Sequence, residues 1–205
     1  LRLPEPEKRI PRNVLTLEET ELFLSQPDIT KPVGIRDRAM LETFYATGIR
    51  RAELVGLKTT DIDFHSALIR VRKGKGGKER IIPISRRALH WLELYLQSVR
   101  KTFIVTACDD EQSLFLSIRG KVISPIHVKM LVSGYRKKAG IDKKGACHIF
   151  RHTMATHMLE GNCNLRNIQE MLGHSYLATT QIYTKVDLKH LQAVYNRTTP
   201  SKGLR

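Results

Sequence analysis

Residues 67–84 read Ala-Leu-Ile-Arg-Val-Arg-Lys-Gly-Lys-Gly-Gly-Lys-Glu-Arg-Ile-Ile-Pro-Ile, and they decide the fold class. Two β-prone runs, 67–73 and 79–84, flank Gly74-Lys75-Gly76-Gly77-Lys78. Glycines there supply the positive φ angles of a tight turn, so the stretch reads as a hairpin with a cationic tip. On both sides the apolar period switches to that of helices. Thr16-Leu17-Glu18-Glu19 is a capping box that starts a helix over about 17–25, before Pro27. A second follows Pro32 and Gly34, with Ala39, Met40, Leu41 and Phe44 on one stripe and Thr47-Gly48 as its stop, and a short third covers 51–56. Beyond the hairpin, helices are expected over 85–98, 125–139, 148–160, 165–172, 176–183 and 188–196, with mostly loop over 100–123. The fold class is therefore α+β, mainly α-helical, with a small antiparallel β-sheet built on the hairpin at about 67–84.

Prolines at positions 4, 6 and 11 make residues 1–14 read as an extended interdomain linker remnant and a truncated or processed start. Residues 15–197 form one domain, and 198–205 a flexible tail. At 41% hydrophobic and 27% charged the 205-residue chain has the composition of a globular protein, which excludes global disorder. Its apolar runs fall far short of the roughly 18 residues that span a bilayer. Cys108, Cys147 and Cys163 are an odd number without C-x-x-C spacing, which suits neither a disulfide framework nor structural zinc and points to a reducing cytoplasm. With 35 Lys plus Arg against 20 Asp plus Glu, the net charge of +15 calls for a polyanion. Nucleic acid is favoured over membrane, because the basic residues are scattered and form no amphipathic basic helix.

Four segments pair cations or histidine with punctuation that fixes them in space. In Thr47-Gly48-Ile49-Arg50-Arg51-Ala52-Glu53 an arginine opens a helix where it can present its fork to phosphate, with Glu53 placed to orient it; alone, it also reads as a solvated arginine in a turn. Lys75 at the hairpin tip can reach into a DNA groove, or simply keep a tip soluble; the loop does not match the G-x-x-x-x-G-K-[ST] nucleotide motif. His148 and Arg151 share one helical face. A metal pair of His148 and His152 is disfavoured, since no Glu sits between them and no third ligand is near in sequence. His174 follows the helix-ending Gly173, and Tyr183 lies nine residues on, either as a working phenol or as a packing residue.

Taken in order, these segments resemble the catalytic domain of the tyrosine recombinases, the phage-integrase and Xer-type family of site-specific DNA recombinases. The likeness covers about residues 12–197 and rests on T-G-x-R-x-x-E-L at 47–54, G-K-G-x-K-x-R at 74–80, H-x-x-R-H at 148–152, L-G-H-S at 172–175 and T-T-x-x-Y at 179–183. Phe150 stands where leucine is usual. The resemblance implies an enzyme in which Tyr183 attacks the scissile phosphodiester to form a 3′-phosphotyrosyl link and free a 5′-hydroxyl. Arg50 and Arg151 would stabilise the charged transition state, Lys75 would protonate the leaving oxygen, His148 would assist the nucleophile and His174 would hold the phosphate. Glu53 would support them, and Arg51, Lys73, Lys78, Arg80 and His152 would be further DNA contacts. A free tyrosine has a pKa of about 10, so the phenolate at pH 7 costs roughly 4 kcal/mol, which fixed cations can offset without a metal. One phosphodiester is exchanged for another, so no cofactor is expected.

The resemblance further implies a double-stranded DNA partner, an N-terminal core-binding domain outside this chain, and a homotetramer on two DNA sites, with a monomer possible off DNA. Asp187 would cap a final helix with Leu188, Leu191 and Val194 or Tyr195 on its stripe. That helix either folds back on its own domain or docks on a neighbouring subunit. A type IB topoisomerase-like enzyme and a non-catalytic basic DNA-binding module are the competing readings.

Overall fold

The computed structural model describes residues 13–72, 79–104, 112–173 and 185–199. Its centre is helix α2 (Pro32–Thr47), which begins at a proline and is buried on nearly every side. Burial on that scale forces its polar groups to find partners. Arg36 pairs with Asp37 and donates to the Leu116 carbonyl at 3.1 Å. Glu42 takes Arg38 and, from outside the helix, Arg87. Around α2 pack α1 (Leu17–Leu24), α4 (Arg86–Leu94) and α7 (His148–Glu160). Phe150 of α7 is fully buried, its ring 4.8 Å from Phe23 and 6.2 Å from Phe44, so the aromatic at this position fills the α1–α2–α7 junction.

After the short α3 (Arg51–Val55), a three-stranded antiparallel sheet forms in the order β1 (Ile62–Asp63), β2 (Leu68–Val71), β3 (Arg80–Pro83). Ile69 faces Ile82 and Val71 faces Arg80, as expected of the hairpin, whose tip at 73–78 lies outside the described residues. β1 adds a strand too short for any period to reveal. A longer departure follows it. The helix expected to stop at 98 runs on from α4 through a π-helical segment (Tyr95–Arg100) into α5 (Lys101–Ile104). No glycine or proline interrupts 86–104, and the extension is held from outside: Arg100 donates to the Ser113 and Leu114 carbonyls, and the Leu116 N–H donates to the Tyr95 hydroxyl at 3.1 Å.

Helix α6 (Pro125–Lys138) is capped by Ser124, and α8 (Leu165–Leu172) by Asn164 at its start and the left-handed Gly173 at its end. The helix expected over 176–183 lies outside the described residues. The last helix, α9 (Lys185–Thr198), starts before Asp187, which therefore does not cap it. Leu191, Val194 and Tyr195 are buried against the chain's own α7 and β3, and the Tyr195 hydroxyl donates to the Ala46 carbonyl at 2.9 Å. Of the two arrangements open to this helix, the single chain adopts the one that folds back on itself. Val14 is buried near one end of the described chain and Thr198 near the other. Among the described residues no helix is long and apolar enough to cross a membrane.

Because α9 completes the core, Tyr195→Ala is expected to lower the unfolding free energy by about 3–5 kcal/mol, the usual cost of emptying a buried aromatic site. Urea denaturation of the dilute monomer measures it. A loss under about 1 kcal/mol would mean that α9 is not seated in solution.

Candidate active site

The ends of α2, α3, α7 and α8 meet at one face, and capping chemistry explains why. α2 stops at Gly48, whose φ of 59° turns the chain back. A Cβ there would stand 2.3 Å from the Met154 Cε and 2.9 Å from the Leu172 Cδ2, so glycine serves both the turn and the approach of α7 and α8. Arg50 then caps α3 at its N-terminus. Glu53 closes back on it, Oε2 accepting from the Arg50 backbone N–H at 2.7 Å and Oε1 from Nη1 at 3.0 Å.

The same carboxylate is gripped from the other side by Arg80, the first residue of β3. Its Nη1 and Nη2 donate to Oε1 and Oε2, each at 2.9 Å, in a two-pronged pair, and its Nε donates to the Met171 carbonyl at 2.8 Å. The Arg80 side chain is 8% exposed and that of Glu53 2%. Arg80, expected as a DNA contact, forms an internal strut between the hairpin, α3 and α8. Physically, a carboxylate buried this deeply needs more than Arg50, which remains 27% exposed and turns part of its charge to solvent.

The C-terminal end of α8 is the third element. Its final carbonyls lack partners inside the helix and carry the negative end of the helix dipole. Three successive ones accept from three arginines: Met171 from Arg80, Leu172 from Arg151 Nη2 at 2.7 Å, and Gly173 from Arg50 Nη2 at 3.4 Å. Arg151 also donates through Nη1 to the Gly48 carbonyl at 3.0 Å. One guanidinium thus bridges the stop of α2 and the stop of α8.

Burial, and then the positive charge of Arg50, brings Arg151 down to about 10, which leaves it protonated at neutral pH. Burial pushes the Glu53 carboxyl up, but the hydrogen bonds and charge of Arg80, joined by Arg50, outweigh it and hold the group below the usual carboxylate range. His148, the first residue of α7, is lowered by partial burial and by the positive charges of His152, Arg151, Arg51 and Arg50, in that order. These causes favour the neutral imidazole at pH 7, the form that can accept a proton.

The structure thus brings together Arg50, Arg51, Glu53, Arg80, His148, Arg151 and His152. Lys73, Lys75, Lys78, His174 and Tyr183 lie outside the described residues. Two described residues near them belong to the cluster, Arg80 beyond the hairpin tip and Gly173 immediately before His174. Sequence reasoning missed the strut role of Arg80 and the three α8 carbonyls. Gly173 as a left-handed helix stop did signal exposed carbonyls, but nothing in the spacing named the arginines that cover them.

The chain belongs to the phage integrase family, which residues 13–190 match. Among its relatives is tyrosine recombinase XerC 2 of Ralstonia nicotianae, 45% identical over 98% of this chain and 57% of that protein. Tyrosine recombinase XerD of Staphylococcus epidermidis is 40% identical over 96% of this chain and 65% of the relative. The chain therefore spans less than two thirds of their length. The crystal structure of XerA recombinase superimposes with a TM-score of 0.70 at 32% identity, covering 90% of this chain and 64% of that one. The post-cleavage complex of XerH site-specific recombinase with a palindromic difH substrate gives 0.67 at 27% identity, over 88% and 51%.

Glu53→Gln keeps the shape of the strut but removes its charge, and is expected to cost about 3 kcal/mol of stability at pH 7. The folded Glu53 carboxyl lies below its ordinary 4.5, so its contribution is complete above that pH and is lost as pH falls through the folded value. The gap between wild type and variant in denaturant melts should therefore narrow below pH 4.5. A gap that stays constant to lower pH would contradict the assignment.

Proposed function

We propose that this chain is the catalytic domain of a site-specific DNA recombinase that cuts and rejoins double-stranded DNA through a phosphotyrosine link. The observation that carries the reading is the cluster of Arg50, Arg151 and His148, held at one face by Glu53, Arg80 and the end of α8. Family membership and the relatives' names support it.

In this mechanism two arginines, fixed before substrate arrives, bind the non-bridging oxygens of a phosphodiester. They stabilise the extra negative charge of the five-coordinate transition state, where preorganised donors act most strongly. The Tyr183 oxygen attacks phosphorus, its proton passing to neutral His148. The bond to the 5′-oxygen breaks, and Lys75 protonates that oxygen as it leaves. His174 donates to the phosphate. Rejoining reverses the steps when a 5′-hydroxyl of the partner strand attacks the phosphotyrosine, so each bond broken is replaced by one of the same kind. Glu53 and Arg80 act through the others and touch no DNA. Arg51 and His152, at the half-buried and exposed edges of the cluster, serve as phosphate contacts, as do Lys73 and Lys78. The enzyme works in the cytoplasm. On two DNA sites four copies assemble, with α9 leaving its own domain for a neighbour's, an exchange in which Leu191, Val194 and Tyr195 keep equivalent partners.

Incubation with nicked duplex carrying a recombination site, in EDTA, should yield a covalent protein–DNA band on a denaturing gel. Tyr183→Phe should abolish the band and leave DNA binding unchanged. A band that survives the substitution overturns the assignment of the nucleophile. Relaxation of supercoils without strand exchange between two sites would favour the topoisomerase reading. Binding should weaken steeply with salt, by about 10³- to 10⁵-fold between 50 and 200 mM if about 6–10 phosphates are engaged.

A further inference from the structure

The segment that leads into the domain is held by its backbone. The Leu15 N–H donates to the Thr153 hydroxyl at 3.0 Å, and the Leu15 carbonyl is met by His157 Nε2 at 2.9 Å. One residue earlier, the Val14 carbonyl accepts from Lys143 Nζ at 2.6 Å, and the same ammonium pairs with Glu19. Thr153 and His157 lie one turn apart on α7, beyond Arg151. The Leu15 side chain is already buried to 1% exposure, which is sufficient to keep the segment on the domain. The directional bonds add something burial does not, a fixed register between this backbone and α7.

His157 reaches further. A carbonyl only accepts, so Nε2 carries the hydrogen and Nδ1 of the neutral ring is the acceptor. The Tyr45 hydroxyl donates to it at 3.0 Å, with the two rings edge to face. Tyr45 stands in the last turn of α2, three residues before Gly48 and five before Arg50. Burial lowers the His157 pKa, which suits a ring that must stay neutral to accept from Tyr45, although the Leu15 carbonyl pulls in the opposite direction. A single imidazole thus joins the incoming backbone, the turn that delivers Arg50, and the helix that carries His148 and Arg151.

We propose that His157 is a positioning residue, which with Tyr45 and Thr153 locks the incoming segment 13–16 to the two arginine-bearing elements and sets Arg50 and Arg151 in register. The link to catalysis rests on the function proposed above; the mechanical link does not. A pull on the chain ahead of Leu15 then reaches both arginines through the two hydrogen bonds of His157 and two helices.

Three variants separate the bonds. Tyr45→Phe removes only the bond to α2, and its loss of one hydroxyl leaves the fold intact. His157→Leu removes both bonds while filling the volume. His157→Gln keeps an N–H directed at the Leu15 carbonyl. The first measurement is amide hydrogen exchange in the DNA-free chain. Tyr45→Phe and His157→Leu should speed exchange over 48–54 by about tenfold with α4 unchanged, whereas His157→Gln should do so without loosening 13–16. Acceleration confined to 13–20 in all three, with 48–54 as in wild type, would overturn the proposal. The second is the rate of adduct formation at saturating nicked DNA, expected to fall about tenfold in Tyr45→Phe with DNA affinity within about twofold. Equal losses of affinity and rate would count against positioning. If wild type forms no adduct, the proposed function fails, and the exchange pattern still decides the coupling.

Discussion

A carboxylate buried between two guanidinium groups is the constraint on which the working face of this domain depends. Glu53 cannot be left alone, because an uncompensated charge in a protein interior costs several kcal/mol. Its two partners come from distant parts of the chain: Arg50 from the helix it caps, and Arg80 from the base of the hairpin. Once that pair is made, β3 has one position against α3, and the third donor of Arg80 fixes the end of α8 as well. Three elements, α3, β3 and α8, are placed by one ionic contact.

The same contact solves a problem of repulsion. Arg50, Arg80 and Arg151 stand close enough for each of the other two to disfavour the charge on Arg151, yet all three must stay charged if the site is to hold a phosphate. One carboxylate and three helix-end carbonyls offset that repulsion. The cations are therefore set in the free protein, and their reorganisation cost is met during folding. Such preorganisation is what makes electrostatic catalysis effective.

Much of this was legible in the sequence where the chemistry is local. The capping box at Thr16–Glu19 and the glycine stops at 48 and 173 gave helix limits within a residue or two, because a cap depends only on its near neighbours. The antiparallel pairing of 68–71 with 80–83 followed from two alternating runs and one glycine-rich turn. What was not legible shares a cause, dependence on partners far along the chain. The extension of the helix to 104 is held by residues 113–116, β1 exists because β2 lies beside it, and the seat of α9 is built from Ala46, Gly161 and β3. The internal partners of Arg80 were illegible for the same reason, since the Glu53 carboxylate and the Met171 carbonyl lie far from it in sequence.

The central claim is that the arginine cluster is locked in the DNA-free protein by Glu53 and the α8 carbonyls. Arginine side-chain Nε–H resonances in a nitrogen-15 NMR spectrum of the free chain test it most directly. The account expects a sharp, slowly exchanging Arg80 signal that changes little when DNA is added, because every bond it makes is internal. A broad or rapidly exchanging Arg80 signal that sharpens only with DNA would contradict it, and would mean that the substrate assembles the site.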